Sequence, residues 1–389
     1  MIVDHAWMER NVGFDPLTTA PPKTTFQFAA AAQPGSTPDD IQREIIDFDS
    51  ESPAGTAFLS FTSATGLSRF TDIPWPKGMA PRTSATAGGR AGGPLPEADV
   101  LVVTWTVDEG HALSRVLTPG KDSRNNYLSY THNYQTIAKK MSRRSPAVQA
   151  KRLGAYWTTT IGKKKVVVFK SDSHLSQDTK KLPNWNKGQT LPNEDVWKQI
   201  IQEVKPKLII TTGTAGGIGK QFEVGDVIVS PIIRFDCIKW LKNAPFHNAD
   251  YKDGTISQRY FSKAKVLFKA NAGQLPKDNT RPPKIVRATR LSSSVVTTDF
   301  FGFDTSNNRY GLWNLGYVSE MGDAVLGLVA GGMAPNAPSW VAVRNVSDPE
   351  IKAEGTKAQQ AQRAAQIYKA YGRWSSVCSA IVCWAIIAA

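Results

Sequence analysis

KLIITTGTAGGIGKQFEVGDVIVS, residues 207–230, is an apolar β-branched run that enters a cluster of glycines and leaves in a second apolar run. Lys207 to Thr212 has the composition of a buried strand, and Gly213-Thr214-Ala215-Gly216-Gly217 carries so little side chain that a ligand can approach the backbone closely. The pattern predicts a strand, a glycine-rich loop and a further strand. It suits an open α/β sheet, whose ligands sit in the crevice at the carboxyl ends of the strands. A plain glycine turn between two strands accounts for the same residues.

Working outward, apolar and turn-forming segments alternate in an α/β order. Ala98 to Thr106 reads as a buried central strand, followed by an acidic turn and a helix. Trp157–Ile161 and Val166–Phe169 read as a hairpin, Glu194–Val204 as a helix, Val224–Val229 as a strand and Ser257–Ala270 as a helix. Ile285–Val296 reads as extended structure. Tyr317–Glu320, Asp323–Gly331 and Trp340–Val346 form a β-α-β pattern before a long closing helix, Lys357–Ala388. Val377 to Ala389 is too short to cross a bilayer by itself and continues that helix, so it is read as a docked segment and no membrane partner is expected.

Residues 1–97 have a different texture, rich in proline, alanine, glycine, serine and threonine. A helix is expected over Asp39–Phe48 and a strand over Thr56–Phe61, while Gly78–Pro96 reads as a flexible linker. The division expected is an N-terminal extension, 1–97, and a main domain, 98–389. The chain has 389 residues, enough to bury a large core. Lysine and arginine total 47 against 33 acids, a formal charge of +14 that favours anionic partners. No long basic arm or interleaved basic and aromatic stripe accompanies that charge, so nucleic-acid binding rests on charge alone and is not expected. Cys237, Cys378 and Cys383 lack metal-ligand spacing, which points to no metal and to a reducing, cytoplasmic setting.

Four blocks in order resemble the purine nucleoside phosphorylase and nucleosidase superfamily: VLVVTWTVDEGHA, LIITTGTAGGIGKQFEVGDVIVS, SSSVVTTDFFGFDT, and VSEMGDAVLG with VAVRNVSDPE. The resemblance implies a twisted mixed β-sheet flanked by helices, assembled as a homo-oligomer, with a purine nucleoside or nucleotide as ligand and no cofactor. It also implies roles. Asp348, just after a buried strand, matches the acid that protonates the purine, which requires a pKa raised by burial and a carboxyl oriented by Ser347. Glu109 matches the glutamate that activates water, although an acid in a helix first turn has a purely structural reading too. His111, at the same helix start, reads as structural. Ala215, Gly216 and Gly217 would wall the base pocket, Phe301 rather than Phe300 would lie against the purine, and Met321 would pack on the sugar.

One block departs from that pattern. Where relatives have Glu-Met-Glu, with the second glutamate on the ribose hydroxyls, this chain has Glu320-Met321-Gly322-Asp323. Asp323 is one residue later, rotated by about 100° on a helix, and substitutes only if backbone or ligand shifts. Thr211 stands where phosphorolytic relatives carry a phosphate-binding arginine, which favours water as nucleophile. Three readings follow from the sequence: a purine N-ribosyl hydrolase, a phosphate-dependent phosphorylase, and a non-catalytic nucleoside- or nucleotide-binding protein.

Overall fold

The computed structural model describes residues 2–3, 26–27, 73–83, 92–119, 127–143, 145–179, 190–254, 262–267 and 279–389. The helix and strand expected at 39–48 and 56–61 lie outside these residues. Thirteen strands form one mixed sheet among them. In chain order they are β1 (Arg82–Thr83), β2 (Val100–Thr104), β3 (Leu128–Tyr130), β4 (Gly154–Ile161), β5 (Lys164–Ser171), β6 (Leu208–Gly217), β7 (Val227–Ser230), β8 (Ile232–Asp236), β9 (Asp250–Lys252), β10 (Ile285–Arg287), β11 (Val295–Thr298), β12 (Val318–Glu320) and β13 (Ser339–Asp348). The helices that flank the sheet are α1 (Val107–Leu117), α2 (Pro192–Val204), α3 (Asp323–Met333) and α4 (Lys357–Ala388). The fold class is the one expected.

Strand β6 is the spine. Its glycines do not form a loop, contrary to the sequence reading: the strand runs unbroken through Gly217. Pairing outweighs the low strand preference of glycine, because β13 lies parallel to β6 from Ser339 opposite Leu208 to Asp348 opposite Gly216. The other edge of β6 is shared. β2 covers its first half, Val100–Val103 against Leu208–Thr211. β12 covers its end, with Val318 and Ser319 opposite Gly217 and Gly216. Between these two strands the edge from Thr212 to Ala215 has no strand beside it, and the sheet opens into a crevice there.

Alternation along the central strands builds the two halves of the core. Leu101, Val103 and Ile209 pack with Val196, Trp197 and Ile200 of α2 and with Leu326 and Val329 of α3. Val100, Val102 and Ile210 face the other way, onto Val116 of α1 and Ile381 and Trp384 of α4. Both faces are covered, which is why these strands read as continuous apolar runs. Within α4, Tyr371–Ala388 is long and apolar enough to span a membrane, yet 89% of it is buried inside the fold. Its indole at Trp384 lies 4.8 Å from that of Trp75 and donates to the Met79 carbonyl at 2.8 Å.

The hairpin at Gly162, the helix at Pro192–Val204 and the closing helix follow the sequence expectations closely. Ile285–Val296 divides into β10, a short 3-10 turn at Leu291–Ser293 and β11. Parts of the stretch read as a linker are attached to the body. Arg82 and Thr83 pair with Thr160 and Thr159 at the sheet edge, and Leu95 is buried.

Candidate active site

The crevice beside β6 continues into a cleft of about 970 Å3 that opens to solvent. Its position follows from the split edge. A backbone N–H left without a neighbouring strand needs an acceptor, and Thr214 N donates to Glu109 Oε1 at 2.7 Å. Thr214 Oγ1 reaches the same oxygen at 2.8 Å. Glu109 Oε2 accepts from Thr104 Oγ1 at 2.7 Å, Trp105 N at 3.0 Å and Thr106 N at 2.9 Å. Glu109 therefore completes a capping box with Thr106 at the start of α1 and also lines the cleft. It is 2% exposed, so the reading of an exposed first-turn acid does not hold. Gly213 is required beneath it: at φ +148° a Cβ there would stand 2.3 Å from Glu109 Oε1.

Asp348 ends β13 on the same cleft. Burial pushes its carboxyl up to about 7, against the opposing effect of the Ser347 hydroxyl, which donates to Oδ1 at 2.8 Å. Ser347 Oγ also lies 3.3 Å from the Ala215 carbonyl, which ties Asp348 to β6. A Cβ on Gly216 would come 3.1 Å from Asp348 Oδ2. Gly213 and Gly216, the glycines under the two carboxyl groups, are three residues apart, about 10 Å along an extended strand.

Phe301 lines the cleft, whereas Phe300 is buried and stacks on Tyr310 at 6.2 Å between centroids. Met321, Ser347, Ala215 and Gly216 also line it. Gly217 does not: its α-carbon faces Val346 and Phe222. Asp323 does not either, which corrects the expectation that it substitutes for a diol-binding glutamate. It is fully buried, and Arg344 holds it by two guanidinium nitrogens, Nε to Oδ2 at 2.8 Å and Nη2 to Oδ1. Fully buried and bound in that bidentate way, it presents no oxygen to the cleft.

The space beside Gly322 is filled as well. A Cβ on Gly322 would meet the Trp105 indole at 3.0 Å, and the Arg344 guanidinium lies 4.7 Å from the indole centroid. The missing side chain and the tryptophan are thus one arrangement: the indole occupies the volume into which a longer residue at 322 would begin to grow. Glu320, which does line the cleft, caps α3 by accepting from Gly322 N at 2.6 Å and Asp323 N at 3.0 Å. Burial, reinforced by Asp323, pushes its carboxyl up to about 7.

Sequence reasoning missed Trp105, Thr214, Lys170, His174 and Arg344, all of which line the cleft. Two left a readable signal, since Lys170 and Arg344 are cations within or ending otherwise apolar strand runs, VVVFK and VAVR. Thr211, the position used to argue for water, is 1% exposed between Val103 and Ala342 and does not line the cleft. Among the described residues no group of histidine, cysteine and acidic side chains is arranged to hold a metal.

Solved nucleosidase structures are similar to this chain. A 5'-methylthioadenosine/S-adenosylhomocysteine nucleosidase from Neisseria meningitidis is 15% identical, with a TM-score of 0.46 over 74% of this chain and 98% of that one. An S-adenosylhomocysteine nucleosidase from Streptococcus pyogenes is 13% identical, with a TM-score of 0.46 over 76% and 98%. Futalosine hydrolase of Helicobacter pylori is 11% identical, with a TM-score of 0.44 over 74% and 96%. No protein-family model matches the chain, and none of the curated proteins does.

Proposed function

We propose that the protein is a hydrolase that cleaves the N-glycosidic bond of a purine nucleoside or nucleotide and releases the free base. The observation that carries this reading is the pairing of buried Asp348, whose carboxyl burial pushes up to about 7, with buried Glu109 along one strand of one cleft. Glycosidic cleavage needs those two different duties, an acid for the leaving group and a carboxylate for water and the oxocarbenium-like sugar.

In this mechanism Asp348 gives its proton to the imidazole ring of the purine as the bond from the anomeric carbon to the base breaks and its electron pair stays with the base. Ala215, Gly216 and Phe301 hold the purine, and Met321 packs on the sugar. A water forms the new bond to the anomeric carbon and passes a proton toward Glu109, which Thr214 and the start of α1 hold in place. Proton return to Asp348 through solvent closes the cycle. Ala215, Gly216, Phe301, Met321 and Ser347 keep their proposed binding roles. Gly217 and Asp323 are left to support the backbone and Arg344.

A binding protein without catalysis is the second reading, favoured by one observation: Trp105 fills the space beside Gly322, and Asp323 is spent on Arg344. Incubation with purine nucleosides and their mono- to triphosphates, with and without inorganic phosphate, separates the readings. Hydrolysis gives free base by chromatography in the absence of phosphate, strict phosphate dependence indicates phosphorolysis, and no base with any ligand supports the binding protein.

A further inference from the structure

We infer that Trp105 sets the sugar specificity of the cleft, and that the ligand is a 2'-deoxynucleoside or 2'-deoxynucleotide, whose sugar carries a methylene where ribose carries a hydroxyl. This rests on the nucleoside reading above and names the substrate class within it.

Trp105 lines the cleft, and its indole is fixed there by packing. One edge abuts Gly322, where an added Cβ would stand 3.0 Å from Cε2 and Cζ2. The Arg344 guanidinium lies 4.7 Å from its centroid, and the Trp197 ring lies 6.4 Å away, tilted by 59°. Arg344 is itself tied to Asp323 and Glu320. A ring wedged among buried partners does not swing aside to admit a larger ligand group, so the ligand must suit the ring.

The same contacts indicate which part of the sugar the indole meets. In the proposed reaction the anomeric carbon lies between the base at Asp348 and the water at Glu109, and C2' is bonded to that carbon. The Trp105 amide donates to Glu109 Oε2 at 3.0 Å, so the indole grows from the backbone that holds the water-activating side chain. On its other edge is Gly322, the residue after Met321, which packs on the sugar in that reading. C2' and its substituent therefore face the indole, between Glu109 and Met321.

The indole is a poor neighbour for a hydroxyl. It has one N–H donor and no acceptor, whereas a hydroxyl has a proton of its own to give. The carboxyl groups around the ring are almost wholly covered. Glu109 is 2% exposed and receives five donors, from Thr104, Trp105, Thr106 and twice from Thr214. The Glu320 side chain is 3% exposed and accepts from Thr297 Oγ1, Gly322 N, Asp323 N and Arg344 Nη2. Asp323 presents no oxygen to the cleft. A 2'-hydroxyl pressed against this wall gives up its hydrogen bond to water and gains no acceptor there, while a methylene gives up nothing. Apolar surfaces reject an added hydroxyl by up to about 10²-fold, which sets the scale of the preference.

Titration calorimetry on the full-length Asp348→Asn protein, with adenosine, 2'-deoxyadenosine and 3'-deoxyadenosine, tests the inference. Affinity is read rather than rate, because loss of the 2'-hydroxyl speeds glycosidic cleavage by its electronic effect alone. Glu109→Gln serves in its place if Asp348→Asn does not fold. Binding of 2'-deoxyadenosine at least tenfold tighter than adenosine is expected, with a smaller gain for 3'-deoxyadenosine. Adding Trp105→Ala should bring adenosine and 2'-deoxyadenosine close to equal affinity, because water enters the freed space and hydrates the hydroxyl. Trp105→Phe, which keeps an apolar ring, should retain most of the preference. Adenosine that binds as tightly as 2'-deoxyadenosine overturns the inference without reference to any Trp105 variant, and so does a gain for 3'-deoxyadenosine as large as that for the 2'-deoxy form. If the wild type also releases base from adenosine, the hydrolytic reading survives that result. If it releases base from none of the three, the hydrolytic reading falls and the order of affinities still decides the inference. No binding of any of the three overturns both.

Discussion

Asp348 and Gly322 show at single-residue scale how burial sets chemistry. The folded pKa of Asp348, about 7, lies above the ordinary aspartate value of roughly 3.9. Its contribution to stability is therefore present in full below about pH 4 and lost as pH rises through about 7, when the carboxylate must ionise away from water. Melting temperature should fall across that window, less steeply in Asp348→Asn, as followed by circular dichroism at successive pH values. The same titration removes the catalytic proton, so kcat/KM should decline about tenfold per pH unit above 7. At Gly322 an added methyl would press on the Trp105 ring at 3.0 Å. Gly322→Ala should cost about 1–3 kcal/mol by urea denaturation, and combining it with Trp105→Ala should show a coupling that offsets part of the sum.

The elements explain what was legible in the sequence and what was not. Helix α4 could be read to its ends because Thr356 and Gln359 form a capping box and the apolar run is continuous. The apolar strands β2 and β6 were legible from composition. The glycine segment was misread because local preference says loop, whereas β13 pairs with it along its length and no local signal reports a partner more than a hundred residues away. The cleft was hidden for the same reason, since it exists only where β2 ends and β12 has not begun. Glu109, Asp348 and Phe301 were visible through the resemblance, while Trp105 was not, because its meaning depends on facing Gly322 across the fold. Gly213→Ala tests the element directly: a Cβ there collides with the Glu109 carboxylate, so base release should drop by at least tenfold. Single-turnover assays on protein whose circular dichroism matches wild type would measure that loss.

At the scale of the whole molecule, the sheet is sandwiched between α2 with α3 and α1 with α4, and Trp384 near the end of α4 holds Trp75 and Met79 against the body. Trp384 is fully buried and joins Trp75 and the Met79 carbonyl to the body. Trp384→Ala should cost about 3–5 kcal/mol. A chain beginning at residue 98 should melt lower than one beginning at 73, since it lacks those contacts and β1. We keep the homo-oligomer as a proposal, to be measured by light scattering.

The central claim is that one cleft holds a proton on Asp348 and a carboxylate on Glu109 for cleavage of a purine glycosidic bond. Chromatography of free purine from adenosine and adenosine 5'-monophosphate, in buffer without phosphate, tests it most directly by comparing the wild type with Glu109→Gln and Asp348→Asn. The account predicts base release by the wild type and a loss of about 10²-fold or more in each variant. Equal release by the variants, or none from the wild type with any purine nucleoside or nucleotide, would contradict it.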